Sequence, residues 1–405
     1  MTRSLYISYD GVLEPLGKSQ VIPYLKGLSK TGLRFILLTY EKKYFIDCKN
    51  KQELFQQLKK ENIEWHSLRY HKKPLILSTF FDIFEGLIIC IIFVCIQRVD
   101  IVHARGYVSS AIALILKKIF KVKFIFDTRG FWADEKAESS HWNRNSILYK
   151  FTKFLELIFI KNADEIIVLT IKAKFFIKDK YFHSGNITII PCCVDTEIFK
   201  PDQDCQVKTR IENSLNGKFV FAHTGSLENW YMKNEMLDYF KSAKKITPES
   251  HFLILSHSPK GEILKLISEK GLQMADFTIK AVSFEKMPEY LSVVDVGMIF
   301  IDLGFSKAAC FPTKFSEFLS CGIPIISSNK IGDTEELILN NKVGVIVNNF
   351  NEKEYARTFL ELLKLKDERD LEDRCRQLAK KEFSLNVGIE RYQKIYTRTT
   401  DGLQS

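Results

Sequence analysis

Residues 311–328 read FPTKFSEFLSCGIPIISS, and the order of residue types in this stretch sets its local structure. Pro312, Thr313, Lys314 and Glu317 open a short helix, Cys321-Gly322 end it, and Pro324-Ile325-Ile326 start a buried strand. Proline is tolerated in a first helical turn, where no N–H donor is needed, and glycine after the last turn permits a left-handed exit. The stretch is therefore a loop, a helix, a turn and a strand. At about 3.6 residues per turn, Thr313 or Lys314 shares one helix face with Glu317, close to the positive end of the helix. A phosphate or a sugar is favoured there, and a carboxylate accepts hydroxyls.

Around this stretch the chain is globular and large. With 405 residues it exceeds one ordinary core, and two domains of about 200 residues are the natural division. Hydrophobic residues at 46% and charged ones at 27% exclude a disordered chain. Nine cysteines are scattered without a Cys-x-x-Cys pair, which argues against a zinc site or an oxidised framework and fits a reducing cytoplasm. The opening residues MTRSLYISYDG lack the apolar run of a signal peptide and read as a first strand. The formal net charge of +10 favours an anionic partner. Because the lysines are dispersed (Lys42-Lys43, Lys117-Lys118, Lys244-Lys245, Lys380-Lys381) and no nucleic-acid module is present, lipid headgroups and sugar nucleotides fit better than nucleic acid.

Strand-type runs alternate with helical ones from the start, which predicts an α/β chain with parallel sheets and crossover helices. Ser4 to Ser8, Phe35 to Tyr40 and Ile63 to Leu68 are the first strands. Leu16-Gly17-Lys18-Ser19 precedes the helical pattern Val21, Tyr24, Leu25, Leu28; Gly17 there either lets the backbone approach a ligand or closes a plain strand-to-helix turn. The apolar run Leu87 to Ile96 is ten residues, too short to span a bilayer, and Asp82 and Glu85 interrupt any extension. It reads as a helix buried against the sheet, or, with His71-Lys72-Lys73 beside Phe80 and Phe81, as a face for an anionic leaflet.

His103, at the end of one strand, and Asp127 and Arg129, just past another, stand where parallel sheets bind ligands, although a histidine at a strand end is also a common structural residue. Ala163 to Leu169 reads as the last strand of the first half, and Asp202 to Lys218, polar and without apolar periodicity, as a linker. In the second half the strands fall at Phe219 to His223, Phe252 to Leu255 and Ala281 to Phe284, with a helix and a strand in MPEYLSVVDVGMIFI. Gly225 supplies a tight turn, and Asn234 with Glu235 opens a helix whose dipole can face a diphosphate.

Taken in order from YDGVLEPLGKSQ to the last helix, these motifs resemble the GT-B fold glycosyltransferases of family 4, the group 1 glycosyl transferases, a retaining family that builds bacterial glycans. FPTKFSEFLSCGIPII is similar to the family's donor-site segment, whose motif is Glu-x7-Glu. The second Glu, which holds the donor ribose, maps onto Glu317, and Ala309 stands where the first would contact the transferred sugar. The family's glycine-rich first loop matches at Gly17. Its two pyrophosphate cations, an Arg after the glycine and a Lys further on, fall at Ser226 and Lys233, and its base-bracketing loop at Ser283 and Phe284. His103 and Asp127-Thr128-Arg129-Gly130 would lie beside the acceptor and the transferred sugar, with Trp132, Asp134 and Glu135 in the acceptor-side loop.

The resemblance implies an α/β fold of two Rossmann-like domains facing across a cleft: residues 1–200 on the acceptor side, 201–382 binding the donor, and 383–405 as a terminal helix returning to the first domain. It further implies retaining transfer from a nucleoside-diphosphate sugar to a glycan or lipid-linked acceptor in surface polysaccharide or lipopolysaccharide synthesis. The protein would work in the cytoplasm, at an anionic membrane surface on the inner face. No metal and no cofactor beyond the substrate are expected. In the front-face scheme the leaving phosphate takes the acceptor proton, so Lys233, Lys314, the Gly225 turn and the helix tip at Thr313 have only to stabilise its charge while Glu317 fixes the ribose. The rival readings are another GT-B activity, such as sugar-nucleotide epimerisation or hydrolysis, and a catalytically silent binding partner, which Ala309 and Ser226 favour.

Overall fold

The computed structural model describes residues 2–404 apart from Asn229. The chain divides into two compact units, Met1–Pro191 with Leu385–Ser405, and Cys192–Ser384. Each is a Rossmann-like α/β layer structure built on one parallel sheet.

In the first unit the strands are β1 (Arg3–Ser8), β2 (Arg34–Glu41), β3 (Ile63–Arg69), β4 (Ile101–Arg105), β5 (Lys123–Asp127), β6 (Glu165–Val168) and β7 (Asn186–Ile189), in the order β3-β2-β1-β4-β5-β6-β7. The connecting helices are α1 (Pro15–Gln20), α2 (Ile22–Ser29), α3 (Cys48–Lys60), α4 (Leu75–Gln97), α5 (Tyr107–Phe120), α6 (Trp132–Glu138), α7 (Ile147–Asn162) and α8 (Ile171–Tyr181). Helices cover both faces, so the central strands are buried throughout: Leu5, Ile7, Leu37, Leu38, Phe124 and Phe126 are inaccessible to solvent. The strand order reverses between β1 and β4.

The second unit repeats the plan with β8 (Phe219–Thr224), β9 (Ser250–Leu255), β10 (Phe277–Lys280), β11 (Val296–Ile299), β12 (Ile325–Ser328) and β13 (Gly344–Val347), in the order β10-β9-β8-β11-β12-β13. Its helices are α9 (Gln203–Glu212), α10 (Lys233–Ile246), α11 (Lys260–Glu269), α12 (Met287–Leu291), α13 (Thr313–Ser320), α14 (Thr334–Asn341), α15 (Glu352–Lys366) and α16 (Leu371–Phe383). A core rich in aromatics, with Phe221, Tyr239, Phe240, Phe252 and Phe359, fills one side of this sheet. The order again reverses, here between β8 and β11. The last helix, α17 (Leu385–Gln404), packs on α2 and belongs to the first unit.

Four elements differ from the sequence reading. The first sheet has a further edge strand, β7, of only four residues and therefore without a readable alternation. The segment assigned as a polar linker contains α9, capped by the Asp202 carboxylate on Cys205 N–H and pinned by Arg210 to Asp295 and the Val293 carbonyl. The strand read at 281–284 lies four residues earlier as β10, and Ser283 and Phe284 fall in the loop and short 3-10 turn after it. The fourth is α4, which extends well beyond its ten-residue apolar run to 23 residues and is long and apolar enough to cross a membrane. The two acids that break the run do not break the helix, because Asp82 is turned inward, where its carboxylate accepts from Tyr9 Oη at 2.7 Å and pairs with His71 Nδ1 at 2.6 Å.

Candidate functional site

In an open parallel sheet, ligands bind beyond the carboxyl ends of the strands at the point where strand order reverses. In the second unit that point is formed by the turn after β8 and by the segment after β11 that leads into α13.

The position of α13 follows from its own sequence. Gly297 on β11 has no side chain because the Phe318 ring of α13 occupies the space: a Cβ there would meet it at 2.3 Å. Ser316 and Ser320 donate hydrogen bonds from the same helix to the carbonyls of Cys192 and Phe199. The helix ends as its Cys-Gly requires, with Gly322 at φ +75° and the Ile323 N–H returning to the Phe318 carbonyl. Its first turn has Pro312 as cap and no side-chain cap bond, so the N–H groups of Thr313 and Lys314 are left to a ligand or water.

Lys314 and Glu317 come from one face of this turn and are 5% and 9% exposed. Lys314 Nζ lies 3.3 Å from Nε2 of His223, the penultimate residue of β8, and 4.1 Å from the centroid of the Tyr231 ring. Above it runs the turn at Gly225, whose φ of +86° favours glycine and where a Cβ would approach Lys314 Nζ to 3.9 Å. Burial lowers the Lys314 ammonium to about 7 against the opposing pull of Glu317, and burial raises the Glu317 carboxyl to about 7 against that of Lys314. Both groups are thus poised near neutrality, and the Glu317 carboxyl accepts no hydrogen bond from any described residue. Burial, and then the charge of Lys314, hold His223 neutral, and its Nε2–H donates to the Ser226 carbonyl at 2.9 Å. A bound anion would favour the charged lysine, and hydroxyl donors would favour the carboxylate.

The structure therefore brings together Thr313, Lys314, Glu317 and Gly225 of the expected donor residues. Ser226 contributes its backbone, and its hydroxyl accepts from Glu228 N–H within its own turn. Lys233 is drawn elsewhere: as the first residue of α10 it pairs with Glu262 of α11 at 2.7 Å. Ser283 is exposed after the edge strand β10, and Phe284 is half buried against Phe199. Gly17 is not a ligand-facing turn. It lies buried inside α1, where a Cβ would come within 2.2 Å of the Gly11 carbonyl, so its missing side chain serves the packing of that helix on its own loop.

In the first unit His103 and Asp127 do stand on neighbouring strands, yet both are fully buried and closed to solvent, where an open ligand-facing position was expected. Tyr396 of α17 bonds His103 Nδ1 at 2.8 Å, and Tyr392 Oη donates to Asp127 Oδ2 at 3.3 Å. Burial would raise the Asp127 carboxyl, but Arg129, His103 and Arg105 around it bring it below its ordinary value, while burial keeps His103 neutral. Arg129 alone of the three reaches the surface, at a left-handed φ of +56° and 3.8 Å from Asp127. Asp134 is likewise engaged internally, by Tyr149 and Lys153.

Sequence reasoning missed His223 and Tyr231. His223 had the signal that singled out His103, a polar residue near the end of a strand, with Thr224-Gly225 after it. Tyr231 had none, because its contact with Lys314 joins segments far apart in the chain.

Residues 206–382 match the family model described as Glycosyl transferases group 1, and residues 50–198 that described as Glycosyltransferase Family 4. An uncharacterized glycosyltransferase of Methanocaldococcus jannaschii is 22% identical over 300 residues, 73% of this chain and 74% of that protein. Among solved structures, sucrose-phosphate synthase from Thermosynechococcus elongatus superposes with a TM-score of 0.75 at 14% identity over 99% of this chain and all of that one. A glycosyltransferase from Rickettsia africae gives 0.72 at 16% identity, covering 98% of each chain. The Anabaena protein HepE, solved with UDP and glucose, gives 0.71 at 13% identity, covering 98% of this chain and 100% of its own. At these identities the structural likenesses speak for the fold.

Proposed function

Because the chain belongs to the GT-B glycosyltransferases of the group 1, family 4 type, we propose that it moves a sugar, with retention, from a nucleoside-diphosphate sugar to a glycan or lipid-linked acceptor. The pathway we favour is the cytoplasmic synthesis of a surface polysaccharide or lipopolysaccharide. One observation carries this reading: a buried lysine and a buried carboxyl group on the first turns of α13, beneath the Gly225 turn at the reversal point of a parallel sheet. The UDP and UDP-glucose complexes of HepE support a nucleotide sugar as the ligand of this fold.

In the proposed reaction the diphosphate lies between the Gly225 turn and the N–H groups of Thr313 and Lys314. Glu317 accepts the ribose hydroxyls. The bond from the anomeric carbon to the phosphate oxygen breaks as the acceptor oxygen bonds the same face of that carbon, and the leaving phosphate takes the acceptor proton. Lys314 stabilises the charge that grows on the phosphate, and this gain is large where water is excluded. Arg129 is the acceptor-side residue we retain, and Ser283 and Phe284 remain our base contacts. The scheme assigns no step to a metal.

A thermal-shift screen of sugar nucleotides tests the donor, because a ligand bound only by the folded form raises the melting temperature. Mass spectrometry of products with and without a glycan acceptor then separates transfer from epimerisation or hydrolysis. Ala309, Ser226 and the engagement of Lys233 by Glu262 favour the second reading, a silent binding partner. Failure of every sugar nucleotide to raise the melting temperature would establish that reading over ours.

A further inference from the structure

Helix α4 carries an apolar stripe that no described residue covers. Leu77, Phe81, Phe84, Ile88, Ile92 and Ile96 recur at intervals of three and four residues, so they lie along one face, and they are 45–75% exposed. The helix has 23 residues and is roughly 34 Å long, and the stripe takes up most of that length. On the adjoining helices Ile119 of α5, which packs beside α4, and Phe151 and Phe154 of α7, which packs beside α5, are exposed as well. Soluble surfaces rarely expose contiguous apolar area on this scale without a partner.

The opposite face of α4 is locked to the sheet. Asp82 is fully buried on Tyr9 and His71, Tyr40 Oη donates to the Asp82 carbonyl at 2.7 Å, and Gly86 sits so close to that hydroxyl that a Cβ would come within 1.9 Å of it. To cross a bilayer the helix would have to give up these bonds and carry Asp82 into hydrocarbon. Held flat, it offers a side and not an end.

Charge decides between the remaining occupants. Lys72 and Lys73 are exposed just before the helix and Arg98 just after it, while Lys118 and Lys121 are exposed at the end of α5. Between Ile76 and Gln97 the only acids are Asp82, which is buried, and Glu85, which is half buried. Glu64, which Gln97 contacts at the far end, is bonded to His66. A second copy of this chain on the stripe, in either direction, would bring basic end against basic end. An anionic leaflet neutralises both ends while its acyl boundary takes up the phenylalanines and isoleucines.

We infer that α4, with the outer faces of α5 and α7, is a membrane-docking surface that lies in the plane of an anionic bilayer. It requires neither donor nor acceptor, so it stands or falls apart from the glycosyl-transfer reading.

Flotation of the full chain with phosphatidylcholine vesicles, with and without phosphatidylglycerol, tests it. The wild type should float with the phosphatidylglycerol vesicles, and the bound fraction should fall as added salt screens the basic rim. Phe81→Gln with Phe84→Gln, exposed positions where folding tolerates the change, should weaken binding roughly tenfold or more. Lys72→Glu with Lys73→Glu should weaken binding to the anionic vesicles selectively. The inference is overturned if the wild type does not float with anionic vesicles, or if the phenylalanine variants float like it. It is equally overturned if light scattering shows a wild-type dimer that the phenylalanine variants make monomeric, since the stripe would then belong to a second copy.

Discussion

Lys314 places its ε-ammonium 4.1 Å from the centroid of the Tyr231 ring, so an aromatic face takes the place of water under a buried cation. Such a contact is worth about 0.5–2 kcal/mol and depends on the ring, not on the phenolic oxygen. Tyr231→Phe should therefore bind a sugar nucleotide like wild type, whereas Tyr231→Leu should bind roughly two- to thirtyfold more weakly. Calorimetric titration of the two variants measures the difference. Equal affinities for both would remove Tyr231 from the site.

Lys314→Met and Glu317→Gln separate function from stability. Burial of the charged forms works against folding at this position, as the lowered lysine and raised carboxyl show, and apolar or neutral replacements of buried ionisable groups are often neutral or stabilising. Turnover should nonetheless fall about 100-fold or more in Lys314→Met, the loss typical when one preorganised group facing a developing charge is removed. Initial rates with matched urea denaturation curves check both halves of the expectation.

The same two groups predict how affinity varies with pH. Lys314 is lowered from 10.5 to about 7, so above that pH the empty site holds it neutral and binding a diphosphate takes up a proton; affinity falls as pH rises. Glu317 is raised from 4.5 to about 7, so below that pH the empty site holds it protonated and accepting ribose hydroxyls releases a proton; affinity falls as pH drops. The maximum should lie near 7. A nucleoside-diphosphate sugar is the right probe, because its diphosphate does not titrate in this range. Lys314→Met should flatten the alkaline limb and Glu317→Gln the acid limb.

Gly17→Ala tests whether that glycine serves packing. Its Cβ would meet the backbone of Gly11 and Val12, at 2.2 and 2.6 Å, and backbone cannot rotate aside. Overpacking of this kind costs about 1–3 kcal/mol, which should appear as a lowered midpoint in urea. An unchanged midpoint would restore the open turn that the sequence suggested.

The two-unit parallel architecture was legible because alternating strand and helix runs carry it, and α13 because Pro, Gly and the apolar run after them punctuate it. What escaped was decided by tertiary contact. The carboxylate of Asp82 looked like a break in an apolar run until Tyr9 and His71 gave it partners inside. Lys233 had the right spacing for a phosphate, but Glu262, distant in sequence, takes it. His103 and Asp127 had the right strand ends, but the phenols that enclose them come from the last helix, nearly 300 residues on from His103.

That enclosure yields the remaining prediction. Asp127 is a buried carboxylate with Arg105 Nη1 at 3.7 Å and Arg129 Nη1 at 3.8 Å, so its removal takes a buried negative charge away from between two guanidinium groups. Breaking a buried charge arrangement from one side costs about 3–5 kcal/mol, and Asp127→Ala should be strongly destabilised. Tyr392→Phe deletes a hydrogen bond to a charged group, at about 1.5–3 kcal/mol, and Tyr396→Phe strands the imidazole of His103, at about 1–3 kcal/mol. If these residues hold α17 to the sheet, all three variants lose urea stability in that order of severity, and the folded fraction of Tyr396→Phe keeps its turnover. If Asp127 instead meets the acceptor, Asp127→Asn, which preserves shape, will keep its unfolding midpoint and lose its rate.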